Sequence, residues 1–117
     1  MVDHIADLQS RLMDAWSLES SSLWCADVPA RGQCNPTALV VQDLLGGELL
    51  KTPTPLGLHF YNRIDDRRMD FTASQFSNPP RYEDLAATRE EAMAGTSKAQ
   101  YEALRARLGL KSSTAAQ

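Results

Sequence analysis

Between Pro36 and Leu45 the chain reads PTALVVQDLL, and Gly46-Gly47 closes the run. Ala38, Leu39, Val40, Val41, Leu44 and Leu45 take up most of the circumference of a helix wound over residues 35–45. Only Thr37, Gln42 and Asp43 remain as polar positions. A helix apolar on so many sides needs neighbours on several of them, so the rest of the chain has to wrap around it. Its ends are marked as well. Asn35 is a good N-cap, Pro36 suits the first helical position, and Gly46 suits the left-handed residue that follows a helix.

What wraps around it follows from the flanking patterns. GLHFYNRI at 57–64 alternates as a strand: Leu58, Phe60, Asn62 and Ile64 share one face, and His59, Tyr61 and Arg63 share the other. Asp65-Asp66 makes a two-residue hairpin turn, and 67–72 returns as the partner strand. ELLKT at 48–52 reads as a short strand, with Pro53 and Pro55 enforcing an extended turn after it. Residues 3–18 form an amphipathic helix with Asp3 as N-cap and Ile5, Leu8, Leu12 and Trp16 as its stripe. His4 falls in its first turn and reads as exposed and without a role. Residues 19–33 are a loop pinned by Leu23 and Trp24, and residues 73–87 are irregular around Pro79-Pro80. Thr88-x-x-Glu91 and Ser97-x-x-Gln100 are capping boxes that start two closing helices, ended near Gly95 and Gly109.

The expected fold is a single α+β domain over residues 1–110. A central helix starting at the cysteine Cys34 packs on a small antiparallel sheet, flanked by N- and C-terminal helices. Residues 111–117 have nothing to bury and read as a disordered tail. A chain of 117 residues, 43% of them hydrophobic, has the material for one such core.

Charge and cysteine usage narrow the function classes. The net charge is -3 and acids and bases are interspersed, so no basic patch offers itself to nucleic acid or an acidic membrane. The N-terminus has no continuous apolar run, so neither a signal peptide nor a membrane span is expected, and the location expected is cytoplasmic. Cys25 and Cys34 are too few for a disulfide framework or a four-cysteine zinc site. Both should be thiols in a reducing cytosol, although the loop between them would let them pair under oxidation. His4 and His59 form no zinc-ligand spacing. A Cys25, Cys34, His59 and Asp70 set lacks the usual chelate spacing, and Gly46-Gly47 follows a helix where a phosphate loop would precede one. No metal and no cofactor are expected.

Three residues carry candidate chemistry. Cys34 sits at the start of the central helix, where backbone N–H groups and the helix dipole favour a thiolate, the reactive form. If Asp65-Asp66 is a two-residue turn, Ile64 pairs with Arg67, Tyr61 with Asp70 and His59 with Thr72. Asp70 then shares the face of His59, diagonal to it at ~7–8 Å, within reach of an imidazole and a carboxylate. A three-residue turn would put Asp70 on the opposite face. Asn62 has the wrong parity to orient His59. Plainer roles exist for each: a small apolar filler for Cys34, a half-buried strand histidine for His59, and an ion-pair partner of Arg63 or Arg68 for Asp70.

H-F-Y-N, a charged turn and then M-D-F-T resemble the His-to-Asp segment of transglutaminase-like proteins, whose superfamily shares the papain-like arrangement. The segments GQCNPTALVVQDLLGGELLKT, HFYNRIDDRRMDFTASQF, TREEA and QYEALRARL are similar to the YunG-like family of small bacterial proteins, over almost the whole chain. That family likeness implies no particular activity. The papain-like resemblance implies Cys34 as nucleophile, His59 as its base and Asp70 as the group that orients the base. The Cys34 backbone N–H would then be one oxyanion donor. Papain-like enzymes place a glutamine several residues ahead of the cysteine, whereas Gln33 is adjacent here, so Gln33, Gln75 and the Trp24 indole all stand as second donors. The expected function is thiol-dependent hydrolysis, deamidation or transfer on an amide or acyl group of a peptide, protein or small substrate. The alternative is a binding or interaction module that keeps the scaffold without the chemistry.

Overall fold

A computed structural model describes residues 2–111, with side chains from Ile5 onward, so the His4 side chain and residues 112–117 lie outside the described residues. Among the described residues, four α-helices, four strands and one 3-10 turn make up an α+β fold. They are α1 (Val2–Ala15), α2 (Cys34–Leu45), β1 (Glu48–Thr54), β2 (Gly57–Ile64), β3 (Arg67–Met69), the 3-10 turn Ala73–Gln75, β4 (Leu85–Ala87), α3 (Arg89–Ala94) and α4 (Lys98–Arg107). The strands form one antiparallel sheet in the order β3-β2-β1-β4.

The central helix is where the apolar run placed it. Leu39, Val40 and Val41 are fully buried, and each contributes roughly 1.5–3 kcal/mol by leaving water. That burial outweighs the roughly 1 kcal/mol a side-chain N-cap supplies, and α2 forms without one. It starts at Cys34, with Gln33 in the N-cap position, two residues ahead of the expected Asn35 cap. The reason is that the Asn35 amide is engaged elsewhere, its Nδ2 donating to the Ala92 carbonyl at 2.8 Å. Thr37, expected on a polar face, is buried and accepts a hydrogen bond from Trp16 Nε1 at 2.8 Å. Gly46, at φ 74°, ends the helix as expected.

Other boundaries moved for local reasons. α1 already includes Asp3, which therefore does not cap it, and stops at Ala15. β1 runs through Pro53, which proline tolerates because β4 pairs only with Leu49–Lys51 and leaves the flank at Pro53 open. The turn is therefore Pro55-Leu56, between the paired Thr54 and Gly57. β4 lies in a stretch expected to be irregular. The two capping boxes are both formed, Thr88 with Glu91 and Ser97 with Gln100.

The hairpin that the site depends on has even parity. Ile64 pairs with Arg67, Arg63 with Arg68 and Asn62 with Met69. Asp65 and Asp66 take φ 52° and 64°, the left-handed values of the turn whose twist suits two antiparallel strands. Phe60 and Ile64 join the core with α2, and Asn62 Nδ2 donates to the Ala38 carbonyl at 3.0 Å. His59 and Tyr61 occupy the other face, against Phe76 and Tyr82.

Candidate active site

β3 ends at Met69, one residue before Asp70. The ladder stops there because the carboxylate of Asp70 turns back on its own chain. Its Oδ1 accepts from the Thr72 N–H at 3.1 Å and the Thr72 hydroxyl at 3.2 Å. Local side-chain bonds of this kind compete with strand pairing. The other oxygen, Oδ2, accepts from the Tyr82 hydroxyl at 2.6 Å and sits 2.7 Å from His59 Nε2. Every oxygen of the carboxylate is thus engaged, and its side chain is only 6% exposed.

His59 is buried to 3% exposure, with the Phe76 ring edge-on at 4.8 Å and the Tyr61 ring stacked at 5.7 Å. Burial is the largest single influence on the imidazole and disfavours its charge. Hydrogen bonding and charge from Asp70 and Cys34 together overcome it and push the His59 pKa up from 6.5 to about 9. Burial likewise works to raise Asp70, but His59, Tyr82 and Thr72 hold its carboxyl below the usual range. With Nε2 on Asp70, Nδ1 is the nitrogen left for Cys34.

Cys34 and His59 line the same cleft, of about 830 Å³. The thiol's own hydrogen bond goes to Asn35 Oδ1 at 3.2 Å. Asn35 is itself held between the Ala92 carbonyl and Gly95, where a Cβ would stand 2.4 Å from Asn35 Nδ2. The helix start adds free donors. Among the described residues no carbonyl accepts from the N–H of Cys34 or Asn35, and Pro36 has no N–H to leave unpaired.

The three candidate oxyanion donors are placed differently. Gln75 lines the cleft, with Nε2 donating to the Thr72 carbonyl at 3.1 Å. Gln33 does not: it is fully buried, because its amide is drawn inward to the Ser20 hydroxyl at 2.7 Å and the Ser17 carbonyl at 3.4 Å. Trp24 packs against the core and is also absent from the cleft wall, its buried Nε1 without a partner among the described residues. Neither of Asp70's plainer partners reaches it. Arg68 pairs with Asp84 and Arg63 with Glu48. The two cysteines are free thiols, and no group of three or more Cys, His, Asp or Glu side chains is arranged for a metal among the described residues.

The description "YunG protein" matches residues 4–112, nearly the full chain. The chain belongs to the YunG family. A relative from Bacillus subtilis (strain 168), named "Uncharacterized protein YunG", is 45% identical over 94 residues, covering 80% of this chain and 82% of its own. No solved structure matches. In this YunG-family chain, Tyr82, Thr72 and Asn35 are the site residues whose roles were not anticipated. Asp70-x-Thr72 carries a readable signal, since an Asp often accepts from the backbone two residues on. Tyr82 does not, being fixed by long-range packing: Arg68 covers its ring at 4.5 Å and grips Asp84 with two bonds of 2.8 Å. No helix of the YunG-family chain is long and apolar enough, among the described residues, to cross a membrane.

Proposed function

We propose that this chain is a thiol-dependent enzyme acting on an amide or acyl group, with Cys34 as nucleophile. The observation that carries the reading is a buried His59 held on Asp70 at 2.7 Å, with Cys34 lining the same cleft. Cys34 Sγ would attack the carbonyl carbon as the thiolate, its S–H proton having passed to solvent, forming the S–C bond and moving the π pair onto oxygen. The Cys34 N–H and the second, free N–H of Gln75 would receive that oxyanion. His59, protonated at neutral pH, would give its proton to the leaving amine as the C–N bond breaks. It would then take a proton from water, which hydrolyses the thioester and releases the acid. Asp70 would hold the imidazole in one orientation throughout. This is the division of labour that the transglutaminase-like and papain-like resemblance implies, set in a reducing cytosol where Cys34 stays a thiol.

One observation favours a second reading, a binding module. The Cys34 S–H donates to Asn35 Oδ1 at 3.2 Å, so its proton is directed to a neighbour that is not a base. Iodoacetamide labelling resolved over pH separates the two. Enzyme chemistry requires Cys34 to react faster than Cys25 near neutral pH, with a roughly tenfold or greater slowing in His59→Ala. Equal rates at both cysteines, unmoved by His59→Ala, select the binding module.

A further inference from the structure

Arg31 lines the cleft that holds Cys34 and His59. Among the described residues, no ion pair or side-chain hydrogen bond engages its guanidinium. The chain carries 15 carboxylate side chains, yet among the described residues none lines this cleft. In a protein of net charge -3, that leaves a locally cationic wall beside the thiol.

The position of Arg31 is fixed. It leaves the core between two fully buried anchors, Ala30 and Gln33. Gly32, at φ 74°, lets the loop close so tightly that a Cβ would meet the Ser21 hydroxyl at 2.5 Å. Three Cα steps separate Arg31 from Cys34, so their Cα atoms lie within about 11 Å. Both line one cleft, so a charge recruited by Arg31 shares it with the bond that Cys34 would attack. The cleft lining also includes exposed apolar side chains. Leu56, at the tip of the β1–β2 hairpin, is 94% exposed, and Leu58 beside it is 51% exposed. Exposed apolar side chains gathered on a cleft are what a ligand covers.

We infer that the cleft selects a small amide of the N-acyl amino acid type. Its carboxylate would pair with Arg31 and its apolar group would cover Leu56 and Leu58. This rests on the thiol-enzyme reading above. Arg31 would be a specificity residue, since a guanidinium matches a carboxylate with two parallel N–H donors.

The test uses alkylating probes of the same shape and different charge: N-bromoacetyl-leucine and its neutral amide. The Cys34 thiolate displaces bromide from either one, and the measured quantity is the ratio of the two rates, with Cys25 as internal reference. The expected ratio favours the anionic probe at Cys34 by at least threefold over Cys25, and it falls as salt is raised. Arg31→Gln should abolish the preference, Arg31→Lys should keep most of it, and Arg67→Gln, exposed on β3 away from the cleft, should keep all of it. Replacing the leucine of the anionic probe by glycine should slow it at Cys34 in the wild type, but not in Leu56→Ser. A ratio at Cys34 equal to that at Cys25, or unmoved by Arg31→Gln, overturns the proposal. Its failure is separable from that of the enzyme reading. Loss of anion preference with iodoacetamide rates still dependent on His59 removes only the substrate class. Loss of the His59 dependence removes the enzyme itself.

Discussion

His59 concentrates the chemistry of this chain in one side chain. Its folded pKa, about 9, lies above the ordinary 6.5. The protonated imidazole is therefore bound more tightly in the folded protein than in the unfolded chain. The stabilisation is complete below pH 6.5 and is lost as pH rises through about 9. Asp70 is shifted the other way, so its contribution is present at neutral pH and is lost as pH falls through its depressed folded value. At about 1.4 kcal/mol per pH unit, the alkaline loss is on the order of 3 kcal/mol. Urea unfolding at pH 6 and pH 10 measures it. The wild type should lose that amount between the two, and Asp70→Asn should lose much less, because the carboxylate that holds the proton on His59 is gone. An equal loss in both proteins would show that the alkaline dependence has another source.

At the scale of elements, the turn between α3 and α4 governs the thiol from a distance. Gly95 leaves room for the Asn35 amide, which in turn accepts the Cys34 S–H. Gly95→Ala should cost little stability, because φ at Gly95 is -96° and the clash is with the end of a side chain. It should displace Asn35 from the Ala92 carbonyl and from the thiol, and so raise Cys34 labelling several-fold at pH 7 while Cys25 is unchanged. An unchanged Cys34 rate would show that Asn35 exerts no control. Such couplings also explain what could be read from residues alone. β2, the two-residue turn and both capping boxes were legible because their signals are local: alternation, turn length, and Ser or Thr three residues before Glu or Gln. The approach of His59 to Asp70 was legible through turn parity. β4 was not, since Leu85-Ala86-Ala87 has no pattern of its own and becomes a strand by pairing with Leu49–Lys51. The N-cap at Asn35 misled for the same reason, a side chain with a good local option taken up by a partner far along the chain. Gln33 misled because two buried serine-derived acceptors and donors outcompete the cleft for its amide.

For the whole molecule, α2 is the shared support. α1, β2 and α4 each give apolar side chains to the core it occupies, and the first and last helices are tied by Arg11 to the Leu108 carbonyl at 2.7 Å and Arg107 to the Ala15 carbonyl at 2.7 Å. Leu104 on α4 is fully buried in that core. Leu104→Ala should therefore destabilise by roughly 2–5 kcal/mol, read as a lower urea midpoint with the slope unchanged. A loss below 1 kcal/mol would mean that α4 is peripheral. The Asn35–Ala92 bond joins residues 57 apart in the chain. A ribosome adding roughly 5–20 residues per second needs roughly 3–11 s to go from one to the other. During those seconds the nascent chain already carries its cysteine, and soon its histidine and aspartate, without the turn that seats Asn35. Whatever the thiol does in the finished protein, its surroundings are completed only near the end of synthesis.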